Sequence, residues 1–456
     1  MCLYSGYGMI MILLIAIKGV WDMLELVVLA LFSAGLLMCV IFGYSILYAL
    51  IGGYILFFSF GLMRKKTVKQ MLHFSFLGML TVKNILIVFV FIGIITAVWR
   101  ASGTIAFIVY YSSSVCTPRI MLVVTFLLCC LVSTLLGTAF GSAATIGIIC
   151  MTLANSMGIP VIYTGGAIIS GIFFGDRCSP MSTSALLISE LTQTDIFKNI
   201  KIMIKTALVP LLLTIALYTV IGFMLKPAAD YDAAFRIFSD YYNLSVFTVI
   251  PALIIIVFSL FKISVKITLA VSSLAGIVCA LLLQHIPGVE LVKILVFGFK
   301  PENAELAKIM SGGGILSMAK VFCIIGISAC YSGIFKGTNF LDGIQSLLVK
   351  ACVHITPFGG ILLTSLLASG IACNQSLAIM LTHQLCNTVV PDKYTFASHL
   401  ENTAVVVAPM IPWSIAITTP LTSIEAPLFS LYFAFYLYLI PLWNFAVQLF
   451  KGRKTT

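Results

Sequence analysis

The sequence predicts an all-α polytopic membrane protein with about 10–12 transmembrane helices, some of them broken, and an internal structural repeat. Three observations carry this. The 456 residues are 61% hydrophobic and only 9% charged, with a mean hydropathy of +1.15, whereas a soluble domain is about half apolar and about a quarter charged. Apolar runs long enough to span a bilayer recur from end to end. Small, polar and proline residues also interrupt those runs at matching places in the two halves.

Taken in order, the first apolar stretch is "MIMILLIAIKGVW", from Met9. Lys18, Trp21 and Asp22 stand where a signal peptide needs a small-residue cleavage site, so it reads as a short retained helix. Span-length apolar runs follow at 26–62, 84–98, 120–136, 206–225, 246–261, 267–285, 312–335, 351–372 and 426–449. The net charge of +11 comes from bases beside spans: "MRKKTVKQ" from Met63, "KNIKIMIK" from Lys198 and "KGRK" from Lys451. By the positive-inside rule these face the cytoplasm, the C-terminus with them, and the acidic loop from Lys226 lies outside. Such charge suits topology and anionic lipid rather than nucleic acid. The 13 cysteines lie mostly in apolar runs, without CxxC pairs or zinc spacing, and read as small hydrophobes.

No soluble domain fits, so residues 1–456 form one transmembrane domain with repeat-like halves at 84–225 and 312–449. "SPM" at Ser179–Met181 returns as "APM" at Ala408–Met410, 229 residues on (180 to 409). About 40 residues before each lies a broken patch, "GTAFGSAATIG" from Gly137 and "ASGIACNQS" from Ala368. Interrupted helices at corresponding places in two halves point to the binding site of a secondary transporter. The sequence leaves open whether the repeat is inverted or parallel.

Polarity concentrates in "SGIFFGDRCSPMSTSA", Ser170 to Ala185. Asp176 is the only acid between Ala101 and Ser189. A carboxylate at that depth is costly and marks an ion or substrate path. Gly175 and Pro180 break the helix around it, with Ser179 expected as N-cap and Pro180 in the first turn of a new helix. Asp176, Ser179, Ser182, Thr183, Ser184 and unwound carbonyls would suit a hard cation such as Na+, with Thr138, Ser142 and Thr145 as further oxygens. Arg177 either competes for Asp176, snorkels to the interface or binds an anion; the plainest alternative is a lone Asp176–Arg177 ion pair at a helix end. In the second half Glu401, Asn402, Pro409 and Pro412 repeat the pattern, and Asn374 and Gln375 interrupt the upstream run. Buried amides favour a lined cavity. His383, His399 and Glu425 are weaker candidates for a proton relay.

The stretches "WRASGTIAFIVYY", "GTAFGSAATIGIICM", "GAIISGIFFGDRCSPMSTSALL", "TQTDIFKNI" and "ENTAVVVAPMIPWSIA" resemble the NhaC family of sodium/proton antiporters from Trp99 to about Thr419. The resemblance implies an all-helical cation/proton antiporter working by alternating access. It implies roles for Thr138, Asp176, Ser179, Pro180, Ser182 and Glu401; the chemistry of the residues adds Thr183 and Asn402 as ion- or proton-binding candidates, with Asp176 the ligand of transported Na+. Substrate-binding or gating roles fall to Arg177, Asn374, Gln375, Pro180 and Pro409. Where better-known members read GDK-x-SP-x-SDT, this chain has Arg177 for Lys and Thr183 for the second Asp. It also has Asn402 and Asn374 where they have acids, which weakens sodium selectivity and stoichiometry as inferences.

The alternative is a proton- or sodium-coupled exchanger of a small organic acid or amino acid. No cofactor is expected. The expected partners are Na+, H+ and the bilayer of the plasma membrane; a small organic solute and a homodimer are left open. Neither HExxH nor GxSxG occurs, and "GIFFGD" lacks the GxGD spacing and a second intramembrane aspartate, so an enzyme is not expected.

Overall fold

The computed structural model describes residues 24–452 apart from 26, 37, 40–41, 43, 114–115, 226–236, 262, 339, 341–355 and 373. The expected helix before Trp21, most of the acidic loop and the end of the terminal basic segment lie outside the described residues. Helices make up the rest, and no β-strand occurs among the described residues. Five of them are long and apolar enough to span a membrane, or up to seven if each of two bent pairs is one span. Five shorter apolar helices accompany them, such as Met121–Leu136 and Pro357–Gly370.

The apolar runs do not map one to one onto helices. The run 26–62 holds two, Val27–Leu36 and Ile46–Met63. The run 84–98 is the second half of Val68–Ala101, which starts at a Thr67/Gln70 capping box and bends by 46°. Ala139–Ser156, which lies outside the apolar runs read from the sequence, is also long and apolar enough to span, with 83% of it enclosed by protein.

One sequence of elements occurs twice. In the first half, Met121–Leu136 breaks at Gly137–Thr138 before Ala139–Ser156, then Val161–Cys178 breaks before Thr183–Thr192, and the long helix Ile196–Met224 follows. In the second, Pro357–Ala372 breaks before Gln375–Cys386, then Lys393–Met410 breaks by 59° before Ile415–Ser423, and Phe435–Gly452 follows. The residues that open the half-helices match in conformation. Thr138 (φ −151°, ψ 127°) matches Asn374 (φ −145°, ψ 130°), and Ser182 (φ −67°, ψ 133°) matches Ser414 (φ −71°, ψ 140°).

This corrects the register read from the sequence. The equivalent turns are Pro180-x-Ser182 and Pro412-x-Ser414, 232 residues apart (182 to 414), whereas "APM" lies in a short 3-10 turn ahead of the second break. Proline forces the preceding residue out of the α region, and serine two places later caps the next helix, so the pair of residues specifies the break.

The second broken helix of each half runs antiparallel to its counterpart. At one end Lys393 Nζ donates to the carbonyl of Gln193 (2.9 Å), and Lys198 Nζ lies 3.9 Å from the Tyr394 ring centre. At the other, Gly165 in the first turn of Val161–Cys178 packs against Ala426 and Ser430, just past Ile415–Ser423. Between these ends, Gly175 lets the helix approach the Met121–Leu136 helix so closely that a Cβ would strike the backbone of Ser133 and Thr134. Gly175 therefore lies within a continuous helix as a packing position and does not loosen it.

Candidate functional site

The site forms where the breaks meet. Ser179 is extended (φ −100°, ψ 136°) and ends the Val161–Cys178 helix, because Pro180 follows it. The new helix starts three residues later than the sequence suggests: Ser182, not Ser179, is its N-cap, accepting from the backbone N–H of Ser184 and Ala185. Ser179 Oγ instead donates to the Thr134 carbonyl (2.7 Å) and accepts from Met181 N–H, fastening this break to the one at Gly137–Thr138.

Asp176 is buried and its carboxylate accepts three hydrogen bonds, from Ser182 Oγ (3.1 Å), Ser184 Oγ (3.2 Å) and Gln375 Nε2 (3.1 Å). Ser182 and Ser184 belong to the N-terminus of Thr183–Thr192, and Gln375 is the first residue of Gln375–Cys386. Two half-helix N-termini thus converge on one acid, and the positive ends of their dipoles favour negative charge there. Gln375 is itself fixed by donating to the Val405 carbonyl (3.0 Å), which ties the second half of the chain to the acid of the first.

Arg177 points elsewhere. Successive helical residues diverge by about 100°, and the guanidinium, fully buried, crosses to three other helices. Nη1 donates to Tyr436 Oη (3.0 Å); Nη2 donates to the Met203 carbonyl (3.2 Å), Thr206 Oγ1 (2.8 Å) and Asn402 Oδ1. The ion pairs among the described residues are Arg64–Glu25 and Arg100–Glu425, so the expected alternative of a lone Asp176–Arg177 pair is overturned. Asp176 sits with donors and Arg177 with acceptors, and neither charge neutralises the other by contact.

Glu401 is wholly buried one residue before Asn402, and neither carboxylate oxygen has a hydrogen-bond partner. Arg177 Nε is likewise buried and without a partner.

Of the residues singled out in the sequence, the structure thus gathers Asp176, Ser182, Ser184 and Gln375. Thr183 is exposed, and Ser184, next along the helix, takes the place expected of it. Asn402 holds Arg177. Asn374 caps its own helix through Ser376 and Leu377 N–H, and Thr138 occupies the equivalent position without a side-chain cap bond. Pro180 shapes the first break; Pro409 precedes the second, which Pro412 occupies. Glu425 pairs with Arg100 at 2.9 Å, and His399 packs edge-on against Phe358. Thr206 and Tyr436 went unremarked in the sequence, since each lies in an apolar stretch with nothing local to set it apart.

The model of the family described as the Na+/H+ antiporter family matches residues 171–449, more than half of the chain. Among curated relatives, the malate-2H+/Na+-lactate antiporter of Bacillus subtilis (strain 168) is 26% identical over 342 residues, 72% of this chain and 72% of the relative. The Na+/H+ antiporter NhaC of Alkalihalophilus pseudofirmus is 27% identical over 366 residues, 77% and 78% of the two chains. That of Bacillus subtilis (strain 168) is 26% identical over 384 residues, 80% and 84%. The breaks at Pro180 and Pro412 lie inside the family match.

Proposed function

The chain belongs to the Na+/H+ antiporter family, and from that premise we propose that it exchanges Na+ for H+ by alternating access, with Asp176 as the carboxylate that holds either. The observation that carries this is the environment of Asp176: a buried acid that makes no ion pair among the described residues, at the meeting of two half-helix N-termini. Three neutral donors hold the ionised form ready, and the hydroxyls of Ser182 and Ser184 can rotate to turn lone pairs towards a hard cation. Replacing that cation by a proton neutralises the same group.

Two inverted repeats, within the halves 84–225 and 312–449, build the site. The matched caps at Thr138 and Asn374 and at Ser182 and Ser414 support this, as does the antiparallel course of the two broken helices. Rocking one repeat against the other opens such a site to each side in turn. The chain lies in the plasma membrane. Lys198 and Lys393 meet at one end of the bundle, which we assign to the cytoplasmic side together with the C-terminus.

The relative named for malate and lactate makes organic-acid exchange the competing reading, but the guanidinium that would bind an acid is engaged by Tyr436, Met203, Thr206 and Asn402. The test is transport in proteoliposomes with a panel of cations and organic acids. Sodium-driven proton movement with no added solute is expected; movement only in the presence of a solute would refute the assignment.

A further inference from the structure

The surroundings of Arg177 have the make-up of an ion site. Its guanidinium is held by a phenol oxygen, a backbone carbonyl, a hydroxyl and an amide oxygen, from Tyr436, Met203, Thr206 and Asn402. All four oxygens are neutral, and they come from three helices other than Arg177's own. Neutral oxygens of this kind are what a hard monovalent cation takes when it sheds water. Arg177 also lies in the last turn of its helix, where the exposed carbonyl ends favour positive charge. Glu401, the residue before Asn402, is buried with both carboxylate oxygens unpartnered. A buried carboxylate with no hydrogen bond is expensive unless it is paired or takes up a proton.

We propose that these four oxygens form a second monovalent-cation site, separate from Asp176 and kept filled by the chain's own guanidinium. Arg177 acts as a tethered ion that stays with the protein through the cycle. The carrier accordingly binds one cation fewer than its oxygens can hold. The binding half of this inference stands on geometry alone, and the count of transported ions rests on the sodium/proton reading above.

Arg177→Ala empties the site without altering its oxygens. Purified Arg177→Ala and wild type are heated in detergent with millimolar guanidinium chloride, far below the molar range in which it denatures, and with tetramethylammonium chloride at the same ionic strength. Guanidinium is expected to raise the melting midpoint of Arg177→Ala saturably, by about 2 °C or more, and to leave wild type unchanged. In proteoliposomes the sodium dependence, hyperbolic in wild type, is expected to become sigmoidal in Arg177→Ala as a second Na+ enters. Arg177→Lys keeps a tethered cation and is expected to stay hyperbolic.

The absence of a guanidinium-specific shift in Arg177→Ala would overturn the site. If Arg177→Ala is recovered folded only when guanidinium is supplied during extraction, that dependence supports it. If no condition yields the variant, Arg177→Lys decides: hyperbolic dependence upholds the tethered ion and sigmoidal dependence overturns it. A wild type that moves no protons in response to sodium would sink the transport reading and leave the thermal result to judge the site.

Discussion

Replacing Asp176 by Asn separates a transport role from a structural one. Three hydrogen bonds reach the carboxylate at 3.1, 3.2 and 3.1 Å. Each loses about 1 kcal/mol on passing from a charged to a neutral acceptor. Against this, the variant no longer desolvates a charge, a penalty of several kcal/mol for a buried ion. The amide also fits the site. Its oxygen, in the place of Oδ2, can accept from Gln375 Nε2 and Ser184, and its NH2, in the place of Oδ1, can donate to Ser182, whose hydroxyl both gives and takes. The two terms largely cancel, so the melting behaviour should stay near wild type. Transport should not survive. A carboxylate attracts a cation about 4 Å away by about 4 kcal/mol at an effective dielectric constant of about 20, so sodium affinity falls by about three orders of magnitude, and an amide carries no proton. The assay is sodium-driven alkalinisation of proteoliposomes loaded with a pH-sensitive dye, beside size-exclusion and thermal profiles. A folded Asp176→Asn that keeps more than about a tenth of the wild-type rate would refute the argument, since its premise is a loss of about 1,000-fold.

Other expectations follow from the same geometry. With Arg177 offsetting one of the two buried acids, exchange should be close to electroneutral. A valinomycin-set potassium potential of about 100 mV, worth about 2.3 kcal/mol per net charge, should then change the initial rate by less than about twofold, and a several-fold rise would show that further charges move. Thr183→Ala should transport like wild type because Thr183 faces away from Asp176, whereas Ser184→Ala removes a donor to the carboxylate and should weaken apparent sodium affinity by about tenfold or more; equal effects in a sodium titration would show that the hydroxyls are misassigned. Gly175→Ala drives a Cβ into the backbone of Ser133 and Thr134 and should destabilise by about 1–3 kcal/mol, read as a lower melting midpoint; an unchanged midpoint would mean that the two helices are not in close contact.

Much of this protein is local and was therefore open to reading in the sequence. Long apolar runs leave the chain few options except helices in a bilayer, because hydrocarbon satisfies no backbone N–H or carbonyl. Pro180 and Pro412 dictate breaks wherever the fold places them, because a missing N–H and a restricted preceding residue are properties of two adjacent positions. A lone acid beside such a break already announces a site. Small local signals also mislead. The similarity of "SPM" to "APM" draws the eye three residues away from the turns that match in conformation and cap helices, Pro-x-Ser at 180–182 and at 412–414.

The direction in which each side chain faces belongs to the tertiary structure. Thr183 and Ser184 are interchangeable as hydroxyls in the sequence, but about 100° of helical rotation exposes one and turns the other to Asp176. The same rotation separates Asp176 from Arg177, neighbours in the chain that sequence alone would pair. Their real partners are remote: Gln375 lies 199 residues from Asp176, and Asn402 and Tyr436 lie 225 and 259 residues from Arg177. The antiparallel course of the two broken helices is likewise set by contacts such as Lys393 on Gln193, which no span count could supply. Sequence thus determined that the chain is helical, lies in the membrane and breaks around an acid. Only the packing of distant helices decided which oxygens and amides meet that acid and which meet its neighbouring base, because a low-dielectric interior ties each buried charge to whatever partner the whole fold brings within hydrogen-bond reach.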